Sequence, residues 1–425
     1  MRNYCDPRCI LQRVVLLLTI LCMASIAFAQ QVDIPERLTF AQARELMLAH
    51  SPELLRDQQN ITLARAAVRQ ARQRINPEFE ITSESYPVFE PQPGSFLNNQ
   101  ELTTRISQTI ETAGKRGKRT LVAQNDLAAT ASDVQNTRRQ LTLELKRRYY
   151  GVVLAEAQLH LAQELLQGFD DLIRLNEVRY KQGEISGLEF ARIKAERLRF
   201  FNDLLESQLL LNNGRAALLE LIGASDLNKT FEAADSLETS VTVPNRDELQ
   251  RLALENRPDF VAERQRLERN RSQLTLEKSL AVPNVSPSFG YKRDFGLNTL
   301  YAGVSIPLPL FNRNQPGIAR ASADITRQDF ELQRVRLSVQ REAFEAQQSF
   351  STQSQRVAAI ESEYVPIARR ARDSAEQSYR LGELDLIGLL DAERVYSETL
   401  TTLNQALYDR RIALAMIEAA VGKEF

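Results

Sequence analysis

The sequence of 425 residues is poor in the side chains that build metal sites and many catalytic centres. It contains three cysteines, two histidines, four methionines and no tryptophan. The cysteines all precede residue 30, at Cys5, Cys9 and Cys22, whereas His50 and His160 are far apart. A cysteine nucleophile, a disulfide framework and a soft-metal cluster are therefore excluded from the rest of the chain. Acidic residues are scattered, so we predict no enzyme, no cofactor and no bound metal.

The chain also lacks a strong excess of charge of either sign. Its formal net charge is −1 at pH 7, which gives no electrostatic basis for nucleic-acid binding. Long apolar runs are missing too: after the first 29 residues, no stretch of 18 apolar residues occurs. We therefore predict that no α-helix of this chain crosses a membrane.

The first 29 residues are typical of a secretory signal peptide. Arginines precede an apolar run at 14–22, and Ala27-Phe28-Ala29 offers a cleavage site. Two alternatives are a retained membrane helix and lipidation at Cys22. The apolar run is shorter than a membrane helix requires, and Ile20-Leu21 before Cys22 match the usual lipid-attachment motif poorly.

The remaining chain contains one structural unit twice. Arg179-Tyr-Lys-Gln-Gly183-Glu184 has a counterpart in Ser378-Tyr-Arg-Leu-Gly382-Glu383, and Gly183 and Gly382 are 199 residues apart. Internal duplication at this scale indicates a repeated architecture. We predict a first repeat over 30–223, an irregular equatorial linker over 224–245 and a second repeat over 246–425.

Each repeat has the same predicted order of elements. A proline-interrupted helical opener precedes a pair of strands, and a very long helix, a glycine turn and a return helix follow. In the first repeat these elements span 39–75, 78–86, 101–110, 117–180 and 188–221. In the second they span 246–280, 285–293, 299–308, 318–379 and 387–421. Alternation is clearest in the last strand, where Leu300, Ala302, Val304 and Ile306 share one face.

The long helices carry a seven-residue repeat that is typical of coiled-coil packing. In the first one, apolar residues recur at every seventh position from Leu145 to Tyr180, with a second series that includes Ala155 and Phe169. A helix of this length spans roughly 100 Å, which suits a rod or the wall of a tunnel. Pro366 interrupts the second long helix, and we expect a bend there.

Several short motifs stand in a fixed order behind the predicted signal peptide. They are His50-Ser-Pro-Glu53, Asn256-Arg-Pro-Asp259, Asn76-Pro77, the segments 112–119 and 305–314, both Tyr-x-x-Gly turns, and Leu390-Asp391-Ala392-Glu393. Each motif alone is weak, but their order and spacing are specific. Together with the order of elements, these motifs resemble the TolC family of outer-membrane channel proteins over essentially the whole mature chain. Within that family the chain is most similar to the CzcC-type branch, the outer-membrane partners of heavy-metal efflux pumps.

The resemblance implies a mainly α-helical chain with a small transmembrane β part. Three chains would each give four strands to one 12-stranded β-barrel, and the helical hairpins would form an α-barrel across the periplasm. The homotrimer would lie in the outer membrane of a Gram-negative bacterium, in contact with its lipid. It would work with a periplasmic adaptor and an inner-membrane pump as a passive conduit, for cations such as cobalt, zinc and cadmium. A drug channel of the same family and a periplasmic coiled-coil scaffold without a pore are the alternatives.

The resemblance also implies roles for three groups of residues. The turns would dock an adaptor through Lys181, Gln182, Gly183, Glu184, Ile185 and Ser186, and through Arg380, Leu381, Gly382, Glu383, Leu384 and Asp385. A periplasmic gate would involve Asp391, Glu189, Arg192, Tyr180 and Tyr379. Gly388 stands where drug channels often have a second acidic residue, so a double acidic ring is not expected. A basic cluster of Lys115, Arg116, Lys118 and Arg119 would lie at the membrane surface. An ordinary turn, a solvated helix face and a helix start are the respective alternatives.

Overall fold

The computed structural model describes residues 33–85, 100–238, 241–294 and 296–424. The predicted signal peptide and Tyr86 of the first predicted strand lie outside these ranges. The first repeat consists of β1 (Arg37–Leu38), α1 (Phe40–His50), α2 (Pro52–Arg72), β2 (Glu78–Glu84), β3 (Glu101–Ser107), α3 (Lys115–Lys181) and α4 (Gly187–Ile222). The second consists of α5 (Arg246–Asn256), α6 (Pro258–Leu280), β5 (Ser286–Asp294), β6 (Leu297–Ser305), α7 (Gln315–Ala359), α8 (Val365–Leu381) and α9 (Leu386–Val421). Between the repeats lies β4 (Glu232–Ala233).

Proline divides both helical openers, as predicted. Pro52 is the first residue of α2 and Pro258 the first of α6. Proline is favoured at the first helical position because a backbone N–H has no intrahelical acceptor there, so its absence from proline costs little. The C-terminal ends of the return helices pack against these two breaks, since Gly223 lies against His50 and Gly422 against Asn256.

The four longer strands form one antiparallel sheet in the order β2-β3-β5-β6. The two repeats therefore meet in the pairing of β3 with β5. The register places Phe79, Ile106, Phe289 and Ala302 in one row across all four strands. The three large apolar side chains of this row are exposed, and so are Ile81 and Leu300 on the same face. The opposite face is polar and includes the ion pairs of Arg105 with Glu80 and of Lys292 with Glu101.

The long hairpins pack as the seven-residue pattern predicts. Helix α3 has 67 residues, about 100 Å at 1.5 Å per residue. Its buried side chains include Leu145, Val152, Ala155 and Phe169 from the two predicted series. In the second hairpin, a π-helical turn at Ile360–Tyr364 separates α7 from α8. The helix is therefore interrupted near Pro366, as expected. The π-helical turn, which holds one residue more than an α-helical turn, lies just before the proline.

The linker is attached to the middle of α3. Strand β4 pairs in parallel with β1, and the Tyr149 hydroxyl lies 2.8 Å from the Leu38 carbonyl oxygen and 2.7 Å from Asp235 Oδ2. The Asp235 carboxylate also accepts a hydrogen bond from the Phe40 amide, at 2.7 Å. Burial raises the pKa of Tyr149, so its phenol stays neutral and can donate. These bonds fix the linker and the start of α1 to one point of the first hairpin.

The two hairpins contact each other through α3 and α9. Near the glycine turns, Phe169, Ile193 and Phe200 of the first hairpin form one cluster with Tyr379, Leu386 and Leu389 of the second. A larger cluster at the other end of the hairpins includes residues of α1, α3, α4 and α9. The hairpins of one chain are therefore held together at both ends.

Candidate functional site

The two hairpin tips, residues 181–186 and 380–385, have the same backbone geometry. Gly183 and Gly382 adopt φ values of +80° and +76°, in the left-handed region that glycine tolerates. The amide of the following residue donates to the carbonyl five residues earlier, at 2.9 Å in both tips. Each return helix is then capped by a side chain, since Ser186 Oγ accepts from the Glu189 amide and Asp385 Oδ1 from the Gly388 amide. Two well-formed turns therefore close the two hairpins.

The tips expose most, but not all, of the residues predicted to dock a partner. Ile185 is buried and Leu384 is half-buried, so these two side chains anchor the turns instead. The other ten predicted residues are exposed. The sequence prediction missed Leu188 and Ile387, which occupy equivalent positions just after the turns and are 66% and 65% exposed. The signal was available, because an apolar residue stands at the same position in both copies. Paired exposed apolar residues at the tips are a candidate contact surface.

The two repeated tyrosines have different environments. Tyr379 is buried between the hairpins, and its hydroxyl donates to Asn176 Oδ1 at 2.7 Å. Tyr180 is exposed and stacks on Phe190, with ring centroids 5.2 Å apart. Only the second tyrosine therefore ties one hairpin to the other.

Asn176 was not among the predicted gate residues. It is fully buried, and its amide nitrogen also donates to the Leu172 carbonyl at 2.9 Å. A signal was present, because Asn176 follows Ala155, Ala162 and Phe169 in the second seven-residue series. A polar residue in such a core position commonly fixes the register of packed helices.

The charges around Tyr379 keep its phenol neutral. Burial raises the pKa of Tyr379, and the neighbouring Glu189 carboxylate acts in the same direction. The Arg179 guanidinium lies 5.4 Å from the centre of the Tyr379 ring and partly offsets these effects. Arg179 also pairs with Glu184 in the turn, at 3.3 Å. Glu189 and Tyr379, two residues of the predicted gate, are therefore neighbours in the structure.

Asp391 and Arg192, two residues of the predicted gate, do not pair with each other within the described residues of a single chain. Asp391 is exposed and pairs with Arg394 on its own helix, at 2.6 Å. Arg192 is exposed on α4, and no ion pair within the described residues involves it. The reason is the repeat itself, because Arg192 and Asp391 are 199 residues apart and occupy equivalent positions. Side chains so related lie on corresponding faces of two hairpins and do not face each other.

Two further charged residues lie behind the second tip. Burial raises the pKa of the Glu393 carboxyl, and Arg372 opposes that shift. The Arg372 guanidinium lies 4.4 Å from the centre of the Tyr396 ring. The sequence did not distinguish Glu393 from the many other acidic residues of the helices, since its burial depends on packing between α8 and α9.

The four residues of the predicted basic cluster have different surroundings. Lys115 is buried, and its ammonium donates to the Val282 carbonyl at 2.5 Å. Arg119 pairs with Glu111 at 2.5 Å and donates to the Ala71 carbonyl at 3.2 Å, near the end of α2. Because unsatisfied carbonyls attract cations, these two side chains stabilise the junction of strands and helices. Arg116 is exposed and Lys118 half-buried.

The described ranges contain neither a metal-binding cluster nor a membrane-spanning helix. No group of three or more His, Cys, Asp or Glu side chains there could hold a metal ion. In the same ranges, no helix combines the length and the apolar character needed to cross a bilayer.

Comparison with known proteins gives consistent similarities. A family model described as outer membrane efflux protein matches residues 43–224 and 249–423. The cobalt-zinc-cadmium resistance protein CzcC of Cupriavidus metallidurans is 25% identical over 77% of this chain and 76% of its own length. The nickel and cobalt resistance protein CnrC of the same organism is 26% identical over 70% of each chain. A crystal structure of the transmembrane channel CusC has a similar fold, with a TM-score of 0.78 and 18% identity over 90% of this chain and 92% of that chain.

Proposed function

Since this chain belongs to the outer membrane efflux protein family, we propose that it is the outer-membrane channel component of a tripartite efflux system. It is a passive conduit that works with a periplasmic adaptor and an inner-membrane pump of a Gram-negative bacterium. The observation that carries this proposal is the family match over both repeats, together with a fold in which two hairpins, each with one arm of about 100 Å, extend from a four-stranded sheet.

The sheet supports a position in the membrane and an assembly of several copies. One face presents large exposed apolar side chains, which suits contact with lipid. Within the described residues of one chain, β2 and β6 each have a neighbour on one side only. Lipid cannot satisfy the backbone groups of an open edge, so the edge strands of neighbouring copies must pair. A homotrimer, as the family resemblance implies, meets this requirement.

The gate is proposed to lie at the tips, where the hairpins of each copy are closed by the Tyr379–Asn176 hydrogen bond. Glu189 contributes negative charge beside this bond. Arg192 and Asp391 occupy equivalent positions on the two hairpins, so in a trimer they alternate around the axis. Such a ring of three positive and three negative charges can hold neighbouring hairpins together, and its Asp391 carboxylates can attract cations when it opens. Tyr180 lies at the contact between copies.

The exposed tips are proposed to dock the adaptor, with Leu188 and Ile387 as apolar contacts and the surrounding charges as the polar rim. Binding that favours separated tips would shift the population toward the open state. Replacing both residues, in Leu188→Asp/Ile387→Asp, is expected to abolish adaptor co-purification and export while trimers persist. Leu63→Asp is the matched control, since Leu63 is equally exposed but lies on α2. Normal adaptor binding by the double variant would contradict docking at the tips.

The cargo is proposed to be divalent heavy-metal cations, such as cobalt, zinc, cadmium or nickel, because CzcC and CnrC are named for resistance to such ions. The channel would not select the ion, and selection would belong to the pump. A strain lacking the gene should become sensitive to one or more of these metals, and expression of the intact chain should restore resistance. Sensitivity to drugs alone would refute the metal assignment.

Whether the protein forms a pore can be tested without knowing which cargo it exports. Purified protein should conduct ions in planar bilayers, and the loss of gate charges in Arg192→Ala/Asp391→Ala should raise the open probability. Absence of conductance in both proteins would refute the channel and favour a periplasmic scaffold.

A further inference from the structure

The connection between strand β6 and helix α7 is apolar and exposed. Its central part is Pro307-Leu-Pro-Leu-Phe311, and we call residues 307–311 the proline segment. Leu308, Leu310 and Phe311 are 76%, 69% and 93% exposed. Among the large apolar side chains of the described residues, that of Phe311 is the most exposed. Three closely spaced side chains of this size without cover indicate a contact surface.

The first repeat contains an equivalent segment, which the helix starts identify. Helices α3 and α7 begin directly after Gly114 and Asn314, whose φ values are +66° and +60°. Gly114 and Asn314 are 200 residues apart, so residues with this separation are equivalent at this end of the hairpins. The equivalents of the three exposed apolar residues are, in order, Gln108, Ile110 and Glu111.

The equivalent segment is largely polar, and its polar side chains have partners within the chain. Gln108 donates to the Ile75 carbonyl oxygen at 2.8 Å, and Glu111 forms the ion pair described above. Its backbone continues the sheet, since Ile110 forms a bridge with Val285. A strand can therefore be joined to a long helix without three exposed apolar side chains. The connection alone does not explain those of the proline segment.

We infer that the proline segment inserts into the periplasmic leaflet of the outer membrane, where it contacts phospholipids. This insertion rests on the proposed position of the sheet in the membrane and adds a second part of the chain that meets lipid. Alternate apolar residues from Leu300 to Ile306 belong to the exposed face that is proposed to contact lipid. Leu308 and Leu310 continue this series to five residues beyond Ser305, the last paired residue of β6. The apolar surface therefore extends past the sheet toward the helices.

The backbone of the proline segment suits the boundary between acyl chains and headgroups. Lipid penalises backbone N–H groups that lack an acceptor. Pro307 and Pro309 have no N–H, and the Leu310 amide donates to the Leu308 carbonyl at 2.9 Å. The proline rings also restrict the segment before it meets lipid, which reduces the entropy lost on insertion. Its remaining polar groups place it near the headgroups, as in other interfacial segments, and not at the bilayer centre.

The residues after the proline segment fit the phosphate layer. Arg313 is exposed, and its Nε atom donates to the Pro309 carbonyl at 3.2 Å. In the part of the chain that the structure describes, Arg313 takes part in no ion pair, so its other two nitrogens can bind a lipid phosphate by two parallel hydrogen bonds. Asn314 donates to the Glu277 carbonyl at 2.9 Å and holds the end of the segment on helix α6. Apolar side chains and a phosphate-binding cation are thus presented side by side.

Fluorescence quenching tests the insertion, because the chain contains no tryptophan and a single introduced one reports on one position. Phe311→Trp, reconstituted in vesicles of phosphatidylcholine brominated on its acyl chains, should lose most of the emission that it has in unbrominated lipid. Dissolved iodide should leave its emission nearly unchanged. The matched control is Phe330→Trp, since Phe330 is 65% exposed but lies about 22 Å along α7. The emission of this control should not depend on bromination.

Two results for Phe311→Trp would overturn the inference. Strong quenching by iodide would mean that the segment lies in water, and protection from both bromine and iodide would mean that a second copy covers it. Phe289→Trp, on the exposed face of the sheet, separates this inference from the proposed function. If bromination quenches Phe289→Trp but not Phe311→Trp, only the insertion of the proline segment fails. If it quenches neither, the proposed position of the sheet in the membrane fails as well.

The phosphate contact has its own test in the Phe311→Trp background. Arg313→Gln should shift the emission maximum to longer wavelength, because the segment is then held less firmly in the leaflet, and Arg313→Lys should restore much of the original maximum, since its charge is retained. Equal emission maxima with arginine, glutamine and lysine at this position would contradict the contact between Arg313 and phosphate.

Discussion

The hydrogen bond between the Tyr379 hydroxyl and Asn176 gives the sharpest prediction about the gate. Its length is 2.7 Å, and the two residues are 3% and 0% exposed. Tyr379→Phe removes the hydroxyl but keeps the ring in its apolar cluster. The Asn176 Oδ1 atom is then buried without its donor, which typically costs about 1–3 kcal/mol. The closed state of each chain is therefore destabilised by a factor of roughly 5 to 150.

In a trimer this effect is multiplied, because three equivalent bonds must break when the tips separate together. Since distant sites contribute independently, the summed change is about 3–9 kcal/mol. Conductance of purified trimers in planar bilayers should therefore show a much higher open probability for Tyr379→Phe. The matched control is Tyr180→Phe, because Tyr180 is 45% exposed and its hydroxyl makes no hydrogen bond within the described ranges. We expect this control to conduct like the unsubstituted protein.

A double variant separates the cost of an orphaned acceptor from the loss of the bond. In Tyr379→Phe/Asn176→Leu both polar groups are gone, and such paired apolar replacement can be nearly neutral. Its open probability should therefore lie between those of Tyr379→Phe and the unsubstituted protein. Equal open probabilities for Tyr379→Phe and Tyr180→Phe would refute the reasoning, because the buried bond would then not hold the gate closed.

Two further outcomes test the packing of the return helices and the second tip. Gly223→Ala should lower the melting temperature, because Gly223 has φ +85° and an added Cβ would lie 2.5 Å from the His50 carbonyl oxygen. Gly422→Ala should cost less, since the corresponding distance to the Asn256 oxygen is 3.1 Å, and the reverse order would contradict the closer approach at Gly223. Burial raises the pKa of the Glu393 carboxyl above its ordinary 4.5, so the folded state favours the protonated form. The contribution of Glu393 to the free energy of unfolding is therefore present at low pH and is lost as pH rises through the folded-state pKa. The free energy of unfolding, measured by urea titration, should therefore fall less with rising pH in Glu393→Gln than in the unsubstituted protein. An unchanged pH profile would show that Glu393 does not cause this loss of stability.

The helices and strands were predictable because their signals are local. The long helix was predicted over 117–180 and begins at Lys115 and ends at Lys181. Both glycine turns and both proline breaks were predicted at the right residues, since glycine and proline restrict the backbone directly. Strand ends were less accurate: the third predicted strand begins at Ser286 rather than 285, and the fourth ends at Ser305 rather than 308. Two prolines shortly after Ser305 end the hydrogen-bond ladder of this strand, although the alternation of apolar and polar side chains continues further along the sequence.

The candidate site was predicted only in part, because its residues acquire their roles by packing. Tyr180 and Tyr379 are equivalent in sequence, yet only Tyr379 finds a neighbouring hairpin and a buried acceptor. Asp391 belongs to the predicted gate, but within one chain it pairs with Arg394, which is its near neighbour on the same helix face. Lys115 belongs to a basic run in the sequence, but the fold buries it against the Val282 carbonyl.

The sequence by itself determined the duplication, the helical hairpins, the turns and the resemblance to a family. These follow from periodicity and from backbone restrictions that act over a few residues. Only the tertiary structure decided which copy of each repeated residue is buried, which is exposed and which has a partner. The physical reason is that the two hairpins of one chain pack on each other through one face of each. The opposite faces stay exposed in the single chain, as Tyr180 does.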